Sequence, residues 1–272
     1  MGLSTALGLA RKGFFIPYRY AGRLPGPDKR APYAAVVDLF RGAEPAFRTL
    51  ITGIDGYADA LVEIGRLPPP APRWAQDWFP RLDAAVAYTI VRAGKPQRIV
   101  EVGSGHSTRF LARAIADGGF DGRITAVDPA PRAVIEGLAQ VELLRAPVQE
   151  AGLEIFDVLR RGDILFIDSS HVLMPGSDVD LLLNRVLPRL PAGVLVHFHD
   201  QFLPDDYPEN WAWRGYNEQL GVAGLLTSGA YQPVFASHYV STRLRVELGK
   251  TVIGQLPLLE GAVESSLWLR KA

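Results

Sequence analysis

Arg98-Ile99-Val100-Glu101-Val102-Gly103-Ser104-Gly105-His106 reads as a β-branched strand that breaks into a glycine turn. Ser107 and Thr108 then open an apolar-periodic segment, Phe110-Leu111-Ala112-Arg113-Ala114-Ile115, so the unit is a strand, a tight turn and a helix. Glycines at 103 and 105 admit positive φ and leave no Cβ between the backbone and a ligand. The first N–H groups of the new helix lack intrahelical partners and face the same spot. The pattern predicts a small polar ligand there.

A dinucleotide fingerprint would place a third glycine where Thr108 stands, which argues against NAD. Glu101 lies two residues before the first glycine, and a second short strand, Ile124-Thr125-Ala126-Val127, ends in Asp128. An acid ending the second strand can accept hydrogen bonds from both hydroxyls of a ribose, and Glu101 can accept one from a cationic amino group. Glu101, Gly103, Gly105 and Asp128 together resemble the S-adenosylmethionine (SAM) site of class I methyltransferases. The resemblance implies an α/β fold, a Rossmann-like seven-stranded doubly wound sheet, with SAM as the cofactor. It also implies a cofactor set of Glu101, Gly103, Ser104, Gly105, Ser107, Asp128 and Asp168, with Gln149 following strand three where such enzymes contact the adenine.

Composition narrows the rest. At 272 residues and 48% hydrophobic content the chain can bury a large core. Lys plus Arg and Asp plus Glu both number 29, so no global field draws it to nucleic acid or an anionic membrane. The absence of cysteine excludes disulfides, thiolate metal sites and a cysteine nucleophile. Met1 to Ala10 lacks a basic n-region, and Arg11 and Lys12 interrupt it too early for a signal peptide or a span. A cytoplasmic protein with neither nucleic-acid nor membrane partners is expected.

Residues 1–80 differ in texture from 81–272 and are expected to form a helical cap or oligomerisation segment on a methyltransferase domain. Phe14-Phe15-Ile16-Pro17-Tyr18-Arg19-Tyr20 is aromatic and basic, suited equally to shaping an acceptor pocket or to a homo-oligomer contact. Helical spacing predicts helices over about 32–42 and 44–64, and Leu67-Pro68-Pro69-Pro70-Ala71-Pro72 stops the second. An alanine-rich helix from Asp83 to Ala93 leads into a regular alternation. Strands fall at 98–102, 123–127, 141–145, 163–167 and 193–199, with helices at 107–117, about 131–139, 150–160 and 178–187. Such alternation of apolar runs means a parallel sheet covered on both faces, with ligands at the carboxyl ends of its strands. A helix over Tyr207 to Leu226 and strands at 231–237 and 265–270 follow, the last two expected as an antiparallel edge pair by the same resemblance.

Two further strand ends are densely polar: Asp168-Ser169-Ser170-His171 after the fourth and His197-Phe198-His199-Asp200 at the fifth. As parallel neighbours, these ends bring Asp168, His171, His199 and Asp200 together beside the glycine turn. Two readings stand. Asp168, His199 and Asp200 could hold Mg²⁺ or another divalent metal that orients two acceptor oxygens, with His171 as the base. Without a metal, the histidines hydrogen-bond the carboxylates and one His-Asp pair is the base. His197 reads as buried and hydrogen-bonded, and His106 and His238 as structural. The loop Asp200 to Trp211, rich in acids, amides and aromatics, suits a carbohydrate-like acceptor.

Asp168-x-x-His171 followed by His199-Asp200 resembles the metal-dependent sugar O-methyltransferases of natural-product pathways. That resemblance implies Asp168 and Asp200 as metal ligands and His171 as catalytic base. His199 stands where that family has a carboxylate. The expected activity is therefore SAM-dependent O-methylation of a hydroxyl on a sugar or other polyhydroxylated small molecule, with His171, Asp168 and His199 catalytic. Aminopropyl transfer on the same fold, or a silent partner subunit that keeps the cofactor turn, are the alternatives.

Overall fold

The computed structural model describes residues 2–10, 12–14, 16–26 and 29–272; Met1, Arg11 and Phe15, which belong to stretches read above, lie outside the described residues. Two compact units appear, residues 1–31 and 32–272. In the first, α1 (Gly2–Ala6) buries no residue. Arg19 and Arg23 lie 5.6 and 5.8 Å from the ring centre of Tyr20.

The second unit begins with α2 (Ala34–Ile54), which buries Val36, Phe40, Phe47, Ile51 and Ile54 along one face. The break expected between residues 42 and 44 does not occur, although Pro45 sits inside the helix and cannot donate to the ladder. Packing overrides it. Phe40 and Phe47 flank Pro45, and both rings meet Tyr239 edge to face at 5.5 and 6.0 Å. The short α3 (Ala58–Glu63) and α4 (Arg81–Gly94) follow, and every residue of α4 from Leu82 to Val91 is buried.

The sheet then unfolds in chain order: β1 (Arg98–Val102), α5 (His106–Gly118), β2 (Arg123–Val127), β3 (Val141–Leu144), β4 (Ile164–Ile167), α6 (Asp178–Leu181) and β5 (Leu195–Phe198). After them come α7 (Glu218–Thr227), β6 (Tyr231–Ala236), α8 (Ser237–Arg243), α9 (Arg245–Leu248) and β7 (Leu267–Lys271). The seven strands are ordered β3-β2-β1-β4-β5-β7-β6. Only β7 runs against its neighbours β5 and β6, so the edge pair is antiparallel as expected.

Three helices read from the alternation are absent or shortened. Residues 131–139 form a loop, because Pro129 and Pro131 each remove an N–H and Gly137 adopts φ 86° before a helix could nucleate. The expected helix at 150–160 is only a 3₁₀ turn, Glu154–Phe156, preceded by Gly152 at φ 82°. The aromatic helix from Tyr207 splits at Gly215 into a 3₁₀ segment, Glu209–Arg214, and α7. The segment at 178–187 stays helical but relaxes into π and 3₁₀ turns up to Arg189. None of the helices is long and apolar enough to cross a membrane, among the described residues.

Candidate active site

Backbone hydrogen bonds that run one residue beyond the parallel strands put their ends level. Gly103 N–H donates to Val127 at 3.0 Å, Asp128 to Leu144 at 3.0 Å, Asp168 to Val102 at 2.9 Å and His199 to Ile167 at 2.9 Å. The strand ends thus form one rim. At its centre Gly103 holds φ 80°, and a Cβ there would overlap the carbonyl oxygen of Asp168. That close approach of β1 to the end of β4 admits only glycine.

Asp128 fixes the turn from the next strand. Its Oδ2 accepts from Ser104 N–H at 2.7 Å and from Ser104 Oγ at 3.0 Å, while Oδ1 accepts from Ala130 N–H at 2.7 Å. A cavity of about 300 Å³ opens here, walled by Gly103, Ser104, Asp128, Arg132, Gln149 and Asp168 among others. This brings together five of the residues read as cofactor-binding. Glu101, Gly105 and Ser107 are not on that wall. Glu101 is fully buried and accepts from Ser107 Oγ at 2.7 Å and Thr108 Oγ1 at 2.6 Å. Burial outweighs those two bonds and, with the charges of Asp168 and Asp128, pushes its carboxyl up to about 8. Gly105, the N-cap residue of α5, receives the side chain of Thr108 on its own N–H at 2.9 Å.

A second cavity, about 160 Å³, adjoins the first and shares Asp168 and Arg132 with it; His199, Asp200, Trp211 and Arg214 complete much of its wall. The four polar residues at the ends of β4 and β5 converge at this junction. His171 Nε2 lies 3.3 Å from Asp168 Oδ1 and 3.5 Å from Asp200 Oδ2. His199 Nδ1 lies 3.5 Å from Asp168 Oδ1 and 3.4 Å from Asp200 Oδ1. Both His171 (φ 60°) and Asp200 (φ 53°) occupy the left-handed region, strained backbone held by the surrounding structure.

Two acids that the sequence reading passed over complete the arrangement. Glu218, at the start of α7 and wholly buried, meets His171 Nδ1 at 3.0 Å and accepts from Gln201 Nε2 at 3.1 Å. Asp83, inside α4, accepts from the backbone N–H groups of Ser265 and Ser266 at 2.9 Å each, and its Oδ2 is 3.5 Å from His199 Nε2. Glu218 opens α7 three residues after the Gly215 break, and Asp83 is the single acid of α4; those were the available signals.

The electrostatics follow from this packing. Burial pushes the His171 imidazole down, but its hydrogen bonds to Asp168 and Glu218 and the charge of Asp200 outweigh burial and hold it well above its ordinary value. His199 is raised in the same way, against burial, by the charges of Asp200 and Asp168. Asp168 is held well below the carboxylate range because the two histidines overcome its own burial. His197, by contrast, is buried and pushed well down, stacked on Phe166 at 3.7 Å with Nε2 2.8 Å from Ser266 Oγ; it is a neutral core residue. His106 is pushed down to about 4 by burial and by the charges of Arg109 and Arg73. His238 pairs with Asp205 at 2.9 Å, away from the cluster.

For a metal, the chemistry of the donor set is suitable, two carboxylates and imidazole nitrogens. As arranged, however, no group of three or more His, Asp or Glu side chains is disposed to hold an ion among the described residues.

Strand order, the glycine turn and the acid ending β2 are those of the Rossmann-like class I methyltransferase fold. Residues 100–201 match the methyltransferase domain family, which spans β1 to the residue after Asp200. No curated protein matches the sequence. Among solved structures, the chain is similar to the SAH-bound methyltransferase PaMTH1 of Podospora anserina, 16% identical over 96% of this chain and 99% of that one, with a TM-score of 0.46. A putative caffeoyl-CoA O-methyltransferase from Staphylococcus aureus is 14% identical over 82% and 92% of the two chains, TM-score 0.41. CmcI with Mg and SAM is 14% identical over 69% and 70%, TM-score 0.42. At these values the likenesses carry no argument about substrate or chemistry.

Proposed function

We propose that this methyltransferase moves the methyl group of SAM to a hydroxyl oxygen of a sugar or other polyhydroxylated small molecule. The observation that carries the reading is His171 itself. Its Nδ1 is anchored on buried Glu218, and its Nε2 lies against Asp168 and Asp200, of which Asp168 lines both adjoining cavities and Asp200 the second. In the reaction an acceptor oxygen attacks the methyl carbon in line, the C–O bond forms as the S–C bond breaks, and the sulfonium becomes a thioether. The hydroxyl proton passes to His171 Nε2, while Glu218 keeps the proton on Nδ1 and steadies the imidazolium that results. Holding both reactants in contiguous cavities supplies much of the acceleration.

A divalent ion is a second reading, favoured by one observation. The His199 contacts to Asp168 and Asp200 are 3.5 and 3.4 Å, longer than the ~2.7–2.9 Å of charge-assisted hydrogen bonds. Asp168, Asp200 and His199 would have to draw together to hold the ion, which would then supply Lewis-acid chemistry to the acceptor hydroxyl.

The test combines isothermal titration with SAH and turnover of a panel of sugars and catechols, with and without EDTA. His171→Ala is expected to keep SAH affinity and lose methylated product. Loss of SAH binding in that variant would place His171 in the cofactor site instead. SAM consumption without a methylated product would favour another transfer, and failure of the wild-type chain to bind SAH would sink the reading. Activity removed by EDTA and restored by Mg²⁺ would establish the second reading.

A further inference from the structure

The wall of the second cavity sets two arginines, Arg132 and Arg214, beside the acids Asp77, Asp168 and Asp200. Arg214, at the end of the 3₁₀ segment Glu209–Arg214, stacks on Trp211 with its guanidinium carbon 4.0 Å from the ring centre, and Trp213 and Tyr216 lie at 5.5 and 5.4 Å. Its Nη1 donates to the Tyr216 hydroxyl at 3.3 Å. Its Nε is buried with no hydrogen-bond partner, and no carboxylate pairs with Arg214 among the described residues. Asp168 and Asp200, the acids across the cavity, already face His171 and His199. Asp77 also lines the cavity but is exposed to solvent.

On the opposite side Arg132 lies over Trp78, 4.3 Å from the ring centre. Arg132 belongs to the cofactor cavity as well, whereas Arg214 lines the second cavity alone. A guanidinium stacked on aromatic faces is weakly hydrated, and its N–H edge remains free for the two oxygens of a planar or tetrahedral anion. A buried donor left unpaired is costly unless a ligand satisfies it.

We infer that the acceptor carries an anionic oxygen group, a carboxylate or a phosphate, and that Arg214 is the residue that selects for it. The inference rests on the methyl-transfer reading above, since it names the acceptor of that site. The reacting hydroxyl lies beside Asp168, which lines both cavities, and the anion beside Trp211 and Arg214.

The experiment titrates SAH-loaded protein with three probes on one scaffold, D-glucose, D-glucuronate and D-glucose 6-phosphate, at low salt. At least one anionic probe should bind about tenfold or more tighter than glucose, and which one does distinguishes a carboxylate from a phosphate. Arg214→Gln should abolish that preference with SAH affinity unchanged, and Arg214→Lys, which keeps the charge but not the planar fork, should retain part of it. Glucose binding as tightly as both anions, a preference that survives in Arg214→Gln, or no binding by either anion at millimolar concentration would each overturn the inference. If SAH itself fails to bind, the methyl-transfer reading falls and takes this one with it. If SAH binds and the anion preference is missing, only this inference falls.

Discussion

Glu101→Gln tests how the strand-end acids are charged before the cofactor arrives. Glu101 has no exposed surface, and only the hydroxyls of Ser107 and Thr108 reach its carboxyl, so burial raises it from the ordinary 4.5 to about 8. Because the folded-state value is the higher one, the folded protein binds a proton that the unfolded chain has released. Its stability is therefore full below about pH 4.5 and is lost as the pH rises to about 8. That displacement corresponds to about 5 kcal/mol at ~1.4 kcal/mol per pH unit, comparable with the whole stability of a marginal domain. Glutamine cannot ionise and should be spared the loss. The assay is urea unfolding of cofactor-free wild type and Glu101→Gln from about pH 5 to about pH 9, taking the difference between the two curves. His171 and His199 titrate with the same sign, but both chains contain them, so their contributions cancel in the difference. The gap between variant and wild type should open with rising pH in favour of glutamine. Parallel curves would refute the reasoning, since they would mean Glu101 is already ionised in the folded protein.

Gly103→Ala should lower stability by about 2–5 kcal/mol, combining left-handed strain with displacement of the Asp168 backbone, and it should weaken SAH binding with it. An unchanged thermal midpoint would sink that account. Asp83→Ala leaves the N–H groups of Ser265 and Ser266 unpaired and should cost about 2–5 kcal/mol, read as a fall in Tm of ~2–4 °C per kcal/mol. Glu218→Gln removes one of the carboxylates that hold His171 up. Since a base must be neutral to accept a proton, activity should rise with pH through the His171 value. In Glu218→Gln the rise should move to lower pH and end on a lower plateau, with SAH affinity intact; a profile that does not move would separate Glu218 from the chemistry.

What was legible in the sequence is what the strands themselves contain. Glu101, Gly103, Asp128, Asp168 and His199 each sit at or just beyond an apolar run, and parallel pairing turns those separate endings into one rim, so local pattern and tertiary position coincide. Glu218 and Asp83 reach the histidines from helices far along the chain, and no spacing rule connects them with β4 or β5. The loop at 129–140 was misread because the rhythm of the fold outweighed local chemistry that was in plain view, two prolines and a glycine within nine residues. The helix also runs unbroken through 42–44 and Pro45, where Phe40, Phe47 and Tyr239 pack together across it, a tertiary contact that helical spacing alone does not show. The cavity-lining role of Arg214 was equally hidden, since only the turn at Gly215 aims the end of that aromatic segment at Asp168 and Asp200.

Asp168 and Arg132 form part of the wall of both cavities. A wall held in common makes the two occupants mutual effectors. Whatever factor the cofactor imposes on acceptor affinity, the acceptor must return in equal measure. In the proposed reaction methyl transfer discharges the sulfonium on one side of that partition and turns a hydroxyl into an ether on the other, so a single event rewrites the terms on which both guests are held. The order in which products depart is thereby tied to one aspartate and one arginine, and a mutation at either should be felt first in the sequence of release.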